Sequence, residues 1–227
     1  WFGVNIAQGR LELRGCDITS DGPACVAIHG GADPRLRQNR IHDGKGVGIF
    51  IYQNGLGALA ENEIFGNGFS GVVIDTGGNP TLRRNRIYNG KGCGVYIHDK
   101  GRGTLEDNDI SHNQNAEIEI ETEGNPTLRR NRIHDGGGRG VLIHDRGQGI
   151  LQDNDIFNNQ HAGVAIKTGG NPTLRRNRVN KNHLEAVWIG GEGGGTFEDN
   201  DLRHNTKGAW YVSEDSKPNV KCAHNLE

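Results

Sequence analysis

Gly78-Asn79-Pro80-Thr81-Leu82-Arg83-Arg84-Asn85-Arg86-Ile87 returns as Gly124 to Ile133 and again as Gly170 to Val179, each copy 46 residues after the last. Midway between the copies stands an acidic counterpart, Gly103-Thr104-Leu105-Glu106-Asp107-Asn108-Asp109-Ile110, which recurs as Gly149 to Ile156 and Gly195 to Leu202. The underlying period is therefore 23 residues, with basic and acidic versions alternating. A fixed period of this size is the signature of a solenoid, in which each repeat buries its apolar face only by stacking on its neighbours.

Aligning the repeats gives columns. One runs Leu13, Leu36, Leu59, Leu82, Leu105, Leu128, Leu151, Leu174, Phe197 and Val220; three places on run Cys16, then Asn39 through Asn200, then Ala223. Five places on run Ile18, Ile41, Ile64, Ile87, Ile110, Ile133, Ile156, Val179, Leu202 and Asn225. Further along come spaced pairs such as Val72/Ile74, Val95/Ile97, Ile118/Ile120 and Val141/Ile143. These pairs alternate as in a strand with one buried face, and no 3.6-residue period generates them. The Leu and Ile columns are both apolar but an odd number of places apart, so the chain must bend between them. Asn occupies the bend and tolerates left-handed backbone. Glycine-rich turns mark the other corners.

Short strands, three corners and a constant repeat predict an all-β fold: a single-stranded, right-handed parallel β-helix with about ten coils of 23 residues in one domain over 1–227. The hand follows from the strong right-handed preference of parallel crossovers. At about 4.8 Å per coil, the rod would be roughly 45 Å long. The columns then become internal aliphatic stacks and an Asn ladder whose amides satisfy one another from coil to coil. Outside, Arg83, Glu106, Arg129, Gln152, Arg175 and Glu198 alternate between basic and acidic or neutral, and Arg84, Asp107, Arg130, Asp153, Arg176 and Asp199 alternate in sign throughout. Alternation turns columns of mutually repelling charges into ladders of ion pairs, each of which contributes little alone. It also removes the basic stripe a polyanion would need and the clustered acids a Ca²⁺ site would need.

Composition agrees. Apolar residues are 33% of the chain and glycines number 37, which suits a thin core with many turns. The net charge of −2 disfavours a nucleic-acid partner. No apolar run is long enough for a membrane helix. Cys16, Cys25, Cys93 and Cys222 form no CxxC pair and no disulfide framework, so buried or half-buried thiols are expected. The chain opens on Trp1, contains no Met and shows no signal segment, so it reads as a fragment of a longer protein, and its compartment stays unassigned. The ends are less regular: Trp1 to Ile6 fits the period only with a one-residue slip, and the last coil loses its ladder residues. Open sheet edges invite end-to-end self-association.

These repeats resemble the right-handed parallel β-helix repeats of carbohydrate-binding and sugar-hydrolase proteins and of periplasmic copper-maturation proteins. Their Gly-Asn-Pro-Thr-Leu-Arg-Arg-Asn-Arg-Ile and Leu-Glu-Asp-Asn-Asp-Ile units are most similar to the β-helix of certain F-box ubiquitin-ligase subunits and their bacterial counterparts. Neither the F-box nor that family's zinc-binding domain is found in these residues. The likeness extends over roughly residues 11–212 and rests on structural ladders, so it speaks to fold more than to role. It implies a surface that receives a protein or a polysaccharide. Enzymes of this shape carry motifs missing here: Asn-Thr-Asp, Asp-Asp, Gly-His-Gly, and Asp-Pro-His-Asp, where this chain has Asp33-Pro34-Arg35-Leu36. No Walker or dinucleotide motif occurs, and no cofactor is expected.

Candidate chemistry lies where the repeat departs from itself. The residues between and just after the Val-x-Ile pairs face outward in two columns: Phe50, Val73, Tyr96, Glu119, Leu142, Ala165, Trp188, Tyr211, and Tyr52, Asp75, His98, Glu121, His144, Lys167. The coil Ala116 to Glu123 departs most, with Glu117 where other coils have Gly or Ala. His98, Glu121 and His144 fall in line, about 4.8 Å apart, with Glu119 beside them, a set able to do acid/base chemistry. The plainer reading is a solvated sheet in which protonated His pairs with Glu. A metal is not expected, because the two His are two rungs apart, too far to share a zinc ion. Tyr52, Tyr96, Glu119, Trp188 and Tyr211 are the expected binding residues, the aromatics stacking on sugars or anchoring a partner. The preferred function is a non-catalytic binding or scaffold module. The rivals are a polysaccharide lyase, epimerase or hydrolase acting at His98, Glu121 and His144, and a rigid spacer.

Overall fold

The computed structural model describes all of residues 1–227. Three parallel sheets run along one axis, with orders that advance by one coil at each step: sheets A and B have ten strands each and sheet C has eight. Sheet A carries the Val-x-Ile strands such as Val95–Ile97, sheet B the Leu strands such as Thr104–Glu106, and sheet C the Ile strands such as Asp109–Ser111. Registers keep the 23-residue step: Leu82 pairs with Leu105, Ile87 with Ile110, and Val95 with Ile118. The result is the right-handed parallel β-helix that the period predicts. There is no α-helix, hence no helix long and apolar enough to cross a membrane.

The core is a column of aliphatic side chains fully removed from water, including Leu36, Leu59, Leu82, Ile87, Ile97 and Ile110. Each is small in section, so the coil stays narrow and the rod gains stability by length rather than thickness. Phe197 closes this core near one end, with Trp210 edge-on at 5.1 Å.

The Asn ladder is continuous from Asn39 to Asn200, and every member is at most 2% exposed. The Oδ1 of Asn108 accepts from both the backbone N–H and the side-chain Nδ2 of Asn85 at 3.0 Å, while its own Nδ2 donates to the Leu82 carbonyl at 3.0 Å and to Asn131 Oδ1 at 2.9 Å. Each amide therefore satisfies polar groups on three coils, as buried polar groups require. The structure corrects one detail of the bend. The left-handed residue is not Asn but the one before it: Gln38, Glu61, Arg84, Asp107, Arg130, Asp153, Arg176 and Asp199 have φ between 50° and 57°. The Asn bonds beside them hold the backbone of these residues in a conformation that non-glycine residues usually avoid.

The charge ladders form as expected. Arg130 bonds to both Asp107 and Glu106, Arg175 meets Glu198 at 2.8 Å, and Arg178 meets Asp155 at 2.8 Å. At the first coil Val4 pairs with Val26, which is the one-residue slip read from the sequence. The last coil needs a correction. A single 3₁₀ turn, Lys217–Asn219, adds two residues, so Phe197 pairs with Cys222 rather than Val220. Asn225, not Ala223, then continues the ladder and accepts from Asn200 N at 3.0 Å. All four cysteines are free; Cys25 and Cys93 are buried and Cys16 half-buried, but Cys222 is exposed, contrary to expectation.

Candidate functional site

Period-two alternation on sheet A turns Val, Ile and Val-like positions inward and leaves the intervening residues on the outer face. Four groups of side chains follow one another along that face. At one end Phe50 stacks on Tyr52 at 4.4 Å, and Tyr52 on His29 at 4.8 Å. Next, Tyr96 stacks on His98 at 4.5 Å. The acid/base cluster lies one and two rungs further on. Beyond it, Trp188 stacks on Tyr211 at 5.4 Å, with the Lys167 ammonium 5.5 Å from the Trp188 ring. Trp188 lies flat over Gly190, where a Cβ would come within 2.6 Å of the indole. From Phe50 to Tyr211 is seven rungs, roughly 34 Å.

The cluster centres on His144. Its Nε2 is 3.0 Å from Glu119 Oε1 and 3.2 Å from Glu121 Oε2, and its Nδ1 is 2.9 Å from Asp145 Oδ2. Tyr96 donates its hydroxyl proton to Glu121 Oε1, and the Cys93 thiol lies 2.9 Å from Glu119 Oε2. The side chains of His144, Glu119 and Glu121 are about four-fifths buried, at 18%, 22% and 20% exposed. The hydrogen bond from His144, opposed by burial, holds the Glu119 carboxyl below its ordinary range, and the same bond raises His144. Burial, reinforced by Glu121, pushes the Tyr96 phenol up; burial, reinforced by Glu119, does the same to the Cys93 thiol. The surroundings therefore favour the charged form of the His144 imidazole, the ionised form of Glu119, and the protonated form of the Tyr96 phenol. Such a set can donate and accept protons in one small volume.

Hollows flank the cluster. One of about 430 Å³ is lined by Phe50, Phe69, Val73, Cys93, Tyr96 and Glu119. Another, of about 230 Å³, has Arg139, His161, Lys167 and Trp188 among its walls. Burial and then Arg139 depress both His161 and Lys167. A larger hollow of about 510 Å³ over the corner loops is lined by Thr122, Arg146, Thr168 and Glu192 with no apolar side chain, and offers no comparable chemistry.

Of the residues singled out from sequence, Glu119, Glu121, His144 and Tyr96 meet in one hydrogen-bonded group. His98 does not join them. It turns to Asp99, with Nδ1 3.0 Å from Oδ2, and has Asp75 at 3.9 Å. The expected line of His98, Glu121 and His144 thus divides into two clusters. Tyr52, Trp188 and Tyr211 stand at the two ends of the face. Sequence reasoning missed Cys93, Arg139 and the 64%-exposed Phe69. Their columns were visible, but which way each leans along the face is a rotamer choice that the period does not encode.

Glu117 lies in the same strand's approach but turns inward and is fully buried. A second Asn column, Asn67, Asn113, Asn159, Asn182 and Asn205, is interrupted by Gly44, Gly90 and Gly136. At Gly136 the Glu117 carboxyl stands in for the missing amide, accepting from the Asn113 backbone N–H at 2.9 Å and from its side-chain Nδ2. Burial pushes the Glu117 carboxyl up to about 8.

A family model described as the right-handed beta helix region matches residues 1–101 and 70–225. No curated protein matches the sequence. Among solved structures, the A-module of the Azotobacter vinelandii mannuronan C-5 epimerase AlgE4 is similar with a TM-score of 0.68 at 12% identity, covering 97% of this chain and 75% of that one. The periplasmic alginate epimerase AlgG is similar with a TM-score of 0.67 at 15% identity, over 96% of this chain and 50% of that one. The catalytic domain of a GH87 α-1,3-glucanase, solved with nigerose, is similar with a TM-score of 0.70 at 11% identity, over 94% of this chain and 49% of that one. The chain spans half to three-quarters of the length of these structures. At such identities the likeness is one of fold.

Proposed function

The chain belongs to the right-handed β-helix family, and from that premise we propose that the outer face of sheet A binds a polysaccharide strand lying along the solenoid axis. The observation that carries this reading is the pair of stacked aromatic platforms, Phe50/Tyr52 and Trp188/Tyr211, with a hydrogen-bonded polar cluster on the same open face between them. Aromatic faces stack on the apolar faces of sugar rings, while charged and amide groups take the hydroxyls. A chain of sugars laid across the rungs meets both kinds of group in turn. Similarity in fold to alginate epimerases and an α-1,3-glucanase supports this ligand class over a protein partner.

Affinity electrophoresis against a panel of neutral and uronic-acid polymers tests the reading. At least one polymer retards the chain, and Trp188→Ala weakens that retardation about tenfold or more, as loss of an aromatic anchor does. If no polymer retards it, or Trp188→Ala and Tyr52→Ala bind as well as the parent, the reading falls.

The Tyr96–Glu121–His144–Glu119 group favours a second reading, in which the bound polymer is also chemically altered. In it the Glu121 carboxylate lies within hydrogen-bond reach of both a phenol and an imidazole, groups of the kind general acid/base catalysis uses. New reducing ends or new absorbance from unsaturated ends, abolished by Glu121→Gln, would establish it. Their absence across the panel leaves the binding module.

A further inference from the structure

The geometry points to a site for a divalent transition-metal ion, zinc foremost, built from His144 Nε2, Glu119 Oε1 and Glu121 Oε2. These groups lie within 4.8 Å of one another, and the imidazole nitrogen is 3.0 and 3.2 Å from the two oxygens. Ligands about 2.0–2.2 Å from a tetrahedral zinc ion stand about 3.3–3.6 Å from each other. A shift of a few tenths of an ångström brings the two imidazole–carboxylate distances to that spacing.

The surroundings argue the same way, independently of the three ligands. A metal-binding His is oriented by a hydrogen bond from its other nitrogen, commonly to a carboxylate. Here Asp145 Oδ2 is 2.9 Å from His144 Nδ1, so Asp145 holds the Nδ1–H, and Nε2, on giving up its proton to a metal ion, would turn its lone pair between the two carboxylates. Each carboxylate has its second oxygen engaged: Glu121 Oε1 accepts from the Tyr96 hydroxyl, and Glu119 Oε2 from the Cys93 thiol. One oxygen of each is thus left to converge with Nε2, and all three side chains are about four-fifths buried. One imidazole and two carboxylates suit zinc and its first-row neighbours. Ca²⁺ would need six to eight oxygens, more than the site holds. Three protein ligands leave a position open toward the face.

The neighbouring Asp75, His98 and Asp99 group shows what such a site lacks. Both carboxylates there approach the same ring nitrogen, at 3.9 and 3.0 Å, and Asp99 is 55% exposed. It serves as the internal control.

The test uses the intact chain stripped with chelator and titrated with Co²⁺ in the absence of any polymer, so its outcome is separate from the polysaccharide reading. One equivalent binds with micromolar affinity or tighter, giving the visible d–d absorption of a low-coordinate ion, and Zn²⁺ displaces it. His144→Ala, Glu119→Gln and Glu121→Gln each weaken binding tenfold or more, and Asp145→Asn by about 10–100-fold. His98→Ala leaves it unchanged. Far-UV circular dichroism confirms that each variant, altered only on the outer face, keeps its fold. Absence of saturable Co²⁺ or Zn²⁺ binding by the parent chain overturns the site. So does binding that survives His144→Ala, or that is lost only on Cys93→Ser.

Discussion

Two columns of asparagine run the length of this molecule and have different fates. The column from Asn39 to Asn200 is unbroken, and each amide repeats the bonds of the one before. The column from Asn67 to Asn205 is interrupted by glycine, and at Gly136 a glutamic acid from the preceding coil fills the space. The first column holds the bend between sheets B and C in each coil from Asn39 to Asn200. The second admits an ionisable group into the interior. An unbroken repeat is the mark of structure, whereas interruption lets the chain introduce groups whose state depends on conditions.

The largest effect expected is in the unbroken column. Asn108→Ala removes the acceptor of the Asn85 N–H and Nδ2 and the donor to the Leu82 carbonyl, all buried. Unsatisfied buried groups cost about 1–3 kcal/mol each, so a loss of about 3–5 kcal/mol is expected. The shift in urea midpoint measures it, with faster amide exchange at Asn85 as the local sign. A variant as stable as the parent would mean that the ladder is decorative.

The interrupted column predicts a pH effect of known sign. Glu117 has its folded pKa raised from 4.5 to about 8. Between those values the folded state holds a proton that the unfolded state has lost, so its contribution is fully present below about pH 4.5 and disappears as pH rises to about 8. The slope is at most about 1.4 kcal/mol per pH unit. Glu117→Gln, whose single Oε1 can take both Asn113 donors as an Asn Oδ1 does elsewhere, should remove that slope. The difference between parent and variant at pH 5.5 and 7.5 isolates the group from the surface acids.

A third column is as regular as the first but lies outside. Arg132 pairs with Asp109 at 2.6 Å and covers the Phe157 ring at 5.6 Å. Arg132→Ala should cost less than about 1 kcal/mol, and less still in high salt. A cost near that of Asn108→Ala would show that repetition, rather than burial, sets the scale.

Nearly all of the fold was legible because a 23-residue period fixes which residues share a column. What the period misjudged were local departures from it. Lys217–Asn219 inserts a turn and moves the last rung by two places, so Asn225 rather than Ala223 ends the ladder. The left-handed residue proved to be Arg84 and its equivalents, because the amide needs its own backbone N–H directed along the axis. The candidate site was legible as a set of neighbours, Glu119, Glu121 and His144, since column and rung give position. It was not legible as a set of partners: whether His98 leans toward Glu121 or toward Asp99 depends on side-chain torsions and on the acid beside it.

The alternation of basic and acidic coils has a consequence for how such a rod can change length. Its shape repeats every 23 residues, but its charge repeats every 46. Deleting one coil, for example the acidic one carrying Glu106 and Asp107, would seat Arg83 and Arg84 directly against Arg129 and Arg130. Deleting it together with the next, basic coil would instead set Arg84 against Asp153 and Arg86 against Asp155. Loss or gain of coils is therefore expected to disturb the charge ladders least when it comes in pairs of turns.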